Sequence, residues 1–156
     1  MSLTLDTNLF VYAVDARDAI KQKAALVLIE GLRAAGGPIG LQICGEFYSV
    51  ISRKLKQPPW IAAQAARNLI TAFPSFAATT ASTERALAEA ATGRFPFWDA
   101  NLLSAAEMAG CTVLLSEDMH DGARLGGIEV IRAFAPDGPS ERALAAIKSI
   151  TEKTVR

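Results

Sequence analysis

Four acidic residues stand where a chain of alternating strands and helices gathers its chemistry: Asp6, Glu46, Asp99 and Asp118. Asp6 directly follows the apolar run "SLTL". Glu46 falls in the first turn of the helix predicted after "PIGLQ", on the shoulder of its apolar stripe. Asp99 opens the helix of "FWDANLL", and Asp118 follows "CTVLL" within "LLSEDMHDG". In a parallel α/β sheet the carboxyl ends of the strands share one edge, and ligands bind there. Singly, each acid has a plain explanation. Asp6 and Asp99 could cap helices, Glu46 could answer a helix dipole, and Asp118 could be turn chemistry. As a set they are harder to dismiss, because two carboxylates about 4 Å apart repel by roughly 4 kcal/mol at an effective dielectric near 20. A hard divalent cation relieves that repulsion. Oxygen-only donors suit Mg²⁺, or Mn²⁺, and a bound ion keeps the carboxylates charged.

The elements that must position these acids follow from periodicity and punctuation. "SLTL" (2–5), "PIGLQ" (38–42), "SFAAT" (75–79), "CTVLL" (111–115) and "IEVIR" (128–132) read as strands. Between them, residues 8–14 begin a helix, and Ala25, Leu28, Ile29 and Leu32 share a helical face that stops at Gly36-Gly37. Ile43, Phe47, Val50, Ile51 and Leu55 define a third helix, and "WIAAQAARNLITAF" a fourth. "STERALAEAATG" opens on a capping box closed by an acid, and "NLLSAAEMAG" continues the helix that Asp99 begins. After Pro136 a capped helix carries Leu144, Ile147 and Ile150 on one stripe. Alternation of this kind implies an α/β fold, a mostly parallel sheet covered by helices on both faces.

The totals agree. A length of 156 residues suits one domain. With 51% apolar and 21% charged residues the chain reads as globular. Zero formal net charge argues against a broadly basic nucleic-acid coat, though not against a local basic rim. Cys44 and Cys111 lack CxxC spacing and read as reduced core thiols. The apolar run "AALVLI" is too short to span a bilayer and no signal peptide is evident, so the expectation is a soluble cytoplasmic protein.

"LDTN" near the start, an acid in the helix after the second strand, "WDA" opening a later helix and "LLSED" at a strand end occur in the order of the PIN-domain family. The chain resembles most the toxins of VapBC toxin–antitoxin pairs, down to the ending "GGIEVIRAF". The resemblance covers residues 1–135 and leaves 136–156 as a C-terminal helical extension. It implies a three-layer α/β/α PIN-like fold and an Mg²⁺-dependent endoribonuclease, with homodimers and an antitoxin partner. Carried over by position, Asp6, Glu46, Asp99 and Asp118 would be the catalytic and metal-holding quartet. Thr7 and Ser116 would be supporting hydroxyls, Asn8 would brace the turn, and Asp121 would be a fifth acid or a rim residue. Glu117, beside Asp118, is expected to point away into solvent. The implied chemistry is phosphodiester hydrolysis by metal-activated water. It needs no histidine pair, and the chain has one histidine, His120, read as an exposed loop residue.

An RNA substrate needs cations near the acids. Arg53, Lys54, Lys56 and Arg124 are the candidates, with a solvated helix end as the plain alternative for the first three. Trp98 reads as a packing residue, and Trp60 and Phe73 as core or interface. Two other functions stay in view. A PIN-like module could bind RNA or protein without cutting it. A haloacid-dehalogenase-like phosphatase would want a second aspartate where Asn8 stands.

Overall fold

Strand β1 (Ser2–Leu5) runs straight into Asp6, which caps helix α1 (Thr7–Ala13) by accepting from the Thr7 amide at 2.7 Å. The computed structural model describes residues 2–156. Asp18 caps α2 (Ala19–Ala34), which buries Ala25, Leu28 and Leu32 and is followed by Gly36 at a left-handed φ of 68°. The second strand is shorter than the sequence suggests: β2 is only Ile39–Gly40, and α3 (Leu41–Arg53) begins where strand was expected. That shift moves Glu46 out of the first turn and into the second, so the helix-dipole explanation for it weakens.

Helix α4 (Pro59–Ala72) starts with proline at its first turn, where no amide is needed. After β3 (Ser75–Phe76) comes α5 (Thr80–Ala91), whose capping box pairs Thr79 with Ser82 rather than with an acid. A serine hydroxyl both donates and accepts, so it can close the box at that distance. Helix α6 (Phe97–Met108) buries every residue from Ala100 to Ala106, which places it in the middle of the molecule. Strands β4 (Cys111–Ser116), β5 (Arg124–Leu125), β6 (Ile128–Arg132), β7 (Phe134–Ala135) and β8 (Gly138–Pro139) lead to α7 (Glu141–Thr154).

The main sheet has the order β1-β4-β6-β5. β1 and β6 lie parallel to β4 on its two sides, with Leu5 opposite Leu115 and Ser116 opposite Arg132. Leu3 to Leu5 and Val113 to Ser116 are buried without alternation, as strands covered on both faces must be. The sequence reading missed β5. It pairs antiparallel with β6 through a turn at Gly126, whose φ of 57° favours glycine. β2 and β3 form a separate parallel pair, and β7 and β8 a small hairpin. The result is the expected α/β fold with a mostly parallel central sheet. Cys44 and Cys111 are free and buried, and no described helix is long and apolar enough to cross a membrane.

Helix α7 packs on α2, β1 and β6. Its buried stripe is Ala143, Ala146, Ile147 and Ile150, while Leu144, expected to be inside, is 42% exposed. The stripe is rotated because small residues bring the helices close. A Cβ placed on Gly31 of α2 would lie 2.3 Å from Cγ2 of Ile147. Ile147 is β-branched and has little rotamer freedom with which to move aside. Gly31→Ala is therefore expected to destabilise the chain by about 1–2 kcal/mol despite alanine's better helix propensity. Urea unfolding measures this, and a midpoint at or above that of the parent would refute the close-approach account.

Candidate active site

The parallel pairing of β1 and β4 brings the first and last acids together. The Asp6 amide donates to the Leu115 carbonyl at 2.9 Å, extending the ladder by one residue. The Ser116 hydroxyl then donates to Oδ2 of Asp6 at 2.7 Å and accepts from the Met119 amide at 3.2 Å. One buried serine thus ties Asp6 to the turn that carries Asp118. Asn8, the second residue of α1, donates through Nδ2 to Oδ2 of Asp118. Asn8 stands where the phosphatase alternative wants an aspartate, and here its amide holds an acid in place.

Glu46 is held from two sides. The Thr7 hydroxyl donates to Oε2, and Nε2 of Gln42 donates to Oε1 at 2.8 Å. Gln42 lies one helical turn before Glu46 on the same face. Its Nε2 also reaches the Trp98 carbonyl at 3.0 Å, and its Oε1 accepts from Asn101 at 2.9 Å. Gln42 and Asn101 therefore join α3 to the start of α6, where Asp99 sits. Sequence reasoning missed both. Gln42 could have been found from its i,i+4 relation to Glu46, but Asn101 reads only as a residue of a buried helix. Asp99 caps nothing, because Pro96 occupies the N-cap position and makes no side-chain bond.

The electrostatics show the acids within reach of one another. Burial pushes the Asp6 carboxyl up to about 6; bonds from Ser116 and Thr7 oppose the rise, and the charges of Glu46 and Asp99 add to it. Burial also raises Asp99, with the charges of Glu46 and Asp118 behind it. Among the described residues none of the four meets a lysine or arginine, whereas their neighbours do. Glu117 is ion-paired to Lys21 at 2.8 Å and accepts from the Tyr12 hydroxyl at 2.9 Å, so it is not solvated as expected. The four share a neighbourhood without forming a ligand shell. Among the described residues no three of His, Cys, Asp or Glu are grouped tightly enough to hold an ion as they stand. Like charge and the Thr7, Asn8, Gln42 and Ser116 donors keep the carboxylates apart.

Other expected site residues lie farther out. Asp121 accepts from the Arg132 amide at 2.8 Å and faces Arg142 at 3.7 Å, so it braces the end of β6. Arg53 and Lys54 end α3, about 10 Å along the helix from Glu46, and Lys56 takes a left-handed turn (φ 54°) just beyond. All three are exposed. Arg124 is engaged by Glu129 at 3.1 Å. Phe73 is buried against Phe10, but Trp60 is 73% exposed. Trp98, expected to pack, is instead exposed beside Asp99. His120 is exposed and lines a cleft of about 520 Å³ with Arg94, Asp99 and Asp118.

No family model and no curated protein matches the sequence. Solved structures do match in three dimensions. The sarcin-ricin-loop-cleaving toxin VapC20 of Mycobacterium tuberculosis superposes with a TM-score of 0.60 at 21% identity, over 72% of this chain and 87% of that one. VapBC2 of Rickettsia felis, bound to a fragment of its promoter DNA, gives 0.62 at 14% identity, over 85% and 98%. DNA-bound VapBC of Salmonella typhimurium gives 0.60 at 17% identity over the same shares. The chain has a PIN-domain fold. In this PIN fold the acids occupy the sheet edge formed by the ends of β1 and β4.

The raised Asp6 carboxyl carries a pH signature. Its folded-state pKa lies above the unfolded value of 3.8, so folding favours the proton and ionisation weakens the fold. The penalty is absent below about pH 4, grows between 4 and 6, and is complete above 6. Asp6→Asn is expected to stabilise the chain by about 1–3 kcal/mol at pH 8 and by little at pH 4. Chemical denaturation at the two pH values in EDTA tests this, and equal effects at both would contradict it.

Proposed function

We propose that this chain is a divalent-metal-dependent endoribonuclease, the toxin of a toxin–antitoxin pair. The observation that carries the reading is the set of four acids, unpaired with any cation, at one sheet edge of a PIN fold. The donor chemistry fits a hard ion: the side chains offer carboxylate oxygen only, and the cost of ionising enclosed Asp6 is one that a nearby positive charge would offset. Asp6, Glu46, Asp99 and Asp118 would hold Mg²⁺ or Mn²⁺. When bound, such an ion supplies an acidified water and offsets the charge of the reacting phosphate.

The chain's own residues do the rest. Ser116 and the Thr7 amide orient Asp6, Thr7 and Gln42 aim the Glu46 carboxylate, and Asn8 holds Asp118. This is the preorganisation that a charged reaction centre needs. Arg53, Lys54 and Lys56 offer charge to phosphates on one flank of the strand, and Arg124 is a weaker candidate because Glu129 holds it. An antitoxin partner and a homodimer belong to the same proposal. The antitoxin is supported by the toxin–antitoxin complexes among the structural neighbours, including one from Klebsiella pneumoniae at 19% identity and a TM-score of 0.59, over 85% of this chain and 98% of that one.

A second reading, a PIN-like module that binds without cutting, draws on the looseness of the acidic group. One experiment separates them. With structured RNAs and Mg²⁺ or Mn²⁺, the purified chain is expected to cut, EDTA to stop it, and Asp6→Asn to lower the rate at least 100-fold. Mg²⁺ is also expected to raise the melting temperature of the parent at pH 8 and not of Asp6→Asn. Cleavage in EDTA, or full activity in the variant, would defeat the nuclease reading. No cleavage with a retained Mg²⁺ shift would favour the binding module.

A further inference from the structure

Trp98 and Gly45 are both costly where they stand, and they face the same cleft. Trp98 is 63% exposed although it adjoins Asp99. Phe97 meets its ring edge-on at 4.9 Å and 70°, and Gln42 holds its carbonyl. Gly45 lies inside α3, where glycine weakens a helix relative to almost any other residue. Nothing in the fold requires it. Its backbone is helical, and a Cβ placed there would meet no atom within 4 Å. The space above Gly45 is part of an open cleft of about 540 Å³ bounded by Gln42, Glu46, Ser49, Val50 and Trp98. One end of the cleft therefore holds an acid of the site. On the α3 side, Ser49 and Val50 lead one turn on to exposed Arg53 and Lys54.

We propose that the slot between the Trp98 indole and the bare helix surface at Gly45 receives an unpaired nucleobase of the RNA strand being cut. The proposal rests on the ribonuclease reading and narrows it to single-stranded or looped substrate. An exposed indole offers the stacking face that every base accepts. A missing side chain opposite leaves room for a flat ring. Base pairs within a duplex keep their faces stacked on one another and cannot enter such a slot. The exposed lining is mostly apolar, so a protein partner is the competing occupant; exposed Arg53 and Lys54, one turn along α3, are what favour a strand that carries phosphates.

The test uses the full chain with Trp60→Phe, so that Trp98 is the sole tryptophan. In EDTA at low salt, a 12-nucleotide single-stranded RNA is expected to quench the indole emission, and the same RNA annealed to its complement to leave it nearly unchanged. Adding Gly45→Leu should weaken single-strand binding about tenfold or more, as loss of one stacked base does. The melting temperature should hold or rise, because leucine is the better helix former. A purely structural glycine would lower it. Equal quenching by duplex, no quenching by the single strand, or undiminished binding with Gly45→Leu would overturn the slot. So would emission that follows protein concentration alone, which would assign Trp98 to an interface between copies. Cleavage is not the readout, so a chain that binds the strand but never cuts defeats the nuclease reading and leaves the slot.

Discussion

The parallel pairing of β1 with β4 is the constraint from which the rest of the site follows. These strands are distant in sequence and adjacent in space, and their register sets Leu5 against Leu115. Each then ends with its side chains at the same edge. The ladder continues one residue beyond β1, so Asp6 is fixed by a backbone hydrogen bond before its side chain makes any contact. Ser116, the last residue of β4, is fully buried and points its hydroxyl at that carboxylate. A one-residue slip would turn Asp6 and Ser116 to opposite faces. The helices that follow inherit the arrangement, since α1 begins on Asp6 and offers Thr7 to one acid and Asn8 to another.

Around this edge the molecule manages charge in two ways. Several acids elsewhere are matched with cations: Glu117 with Lys21, Glu107 with Arg85, Glu129 with both Arg124 and Arg142. Among the described residues, three acids of the site, Asp6, Glu46 and Asp118, accept from neutral donors alone, and Asp99 accepts from none. Hydroxyls and amides orient a carboxylate without cancelling its charge, so the negative potential stays available to a ligand. The consequence is a raised proton affinity at Asp6 and Asp99. Local destabilisation of this kind is the pattern expected of a candidate functional site.

The periphery supports the same division of labour. α7 adds Ala143, Ala146, Ile147 and Ile150 to the core and ties its first turn to β6, through Ser140 to the Arg132 carbonyl at 2.6 Å and Arg142 to Glu129 at 3.0 Å. It stiffens the strand that flanks β4 and leaves the acidic edge uncovered. On the opposite side, the α3–α6 junction is polar and small at Gln42, Gly45 and Asn101, and an aromatic ring stands open beside it.

Much of this was legible in the sequence, because local signals act through neighbours along the chain. Strand β1 and strand β6 fall where apolar β-formers predicted them, and the acids lie at element boundaries because strands and helices end there. The four acids could be singled out as candidates without coordinates. What the sequence alone could not decide was which side chain meets which. Glu117 looks like its solvated neighbours until Lys21, nearly a hundred residues away, is folded against it. Gln42 and Asn101 have no local signature that links them. Trp98 is a large aromatic of the kind that packs, yet it stands exposed, and Leu144 lies outside because the buried face of α7 runs through Ala143 and Ala146 beside Ile147 and Ile150. Periodicity fixes the face of an element and the residue types on it. Only the packing of elements against each other sets the rotation, the distance and the partner, because those are long-range contacts with no trace in the spacing of one segment.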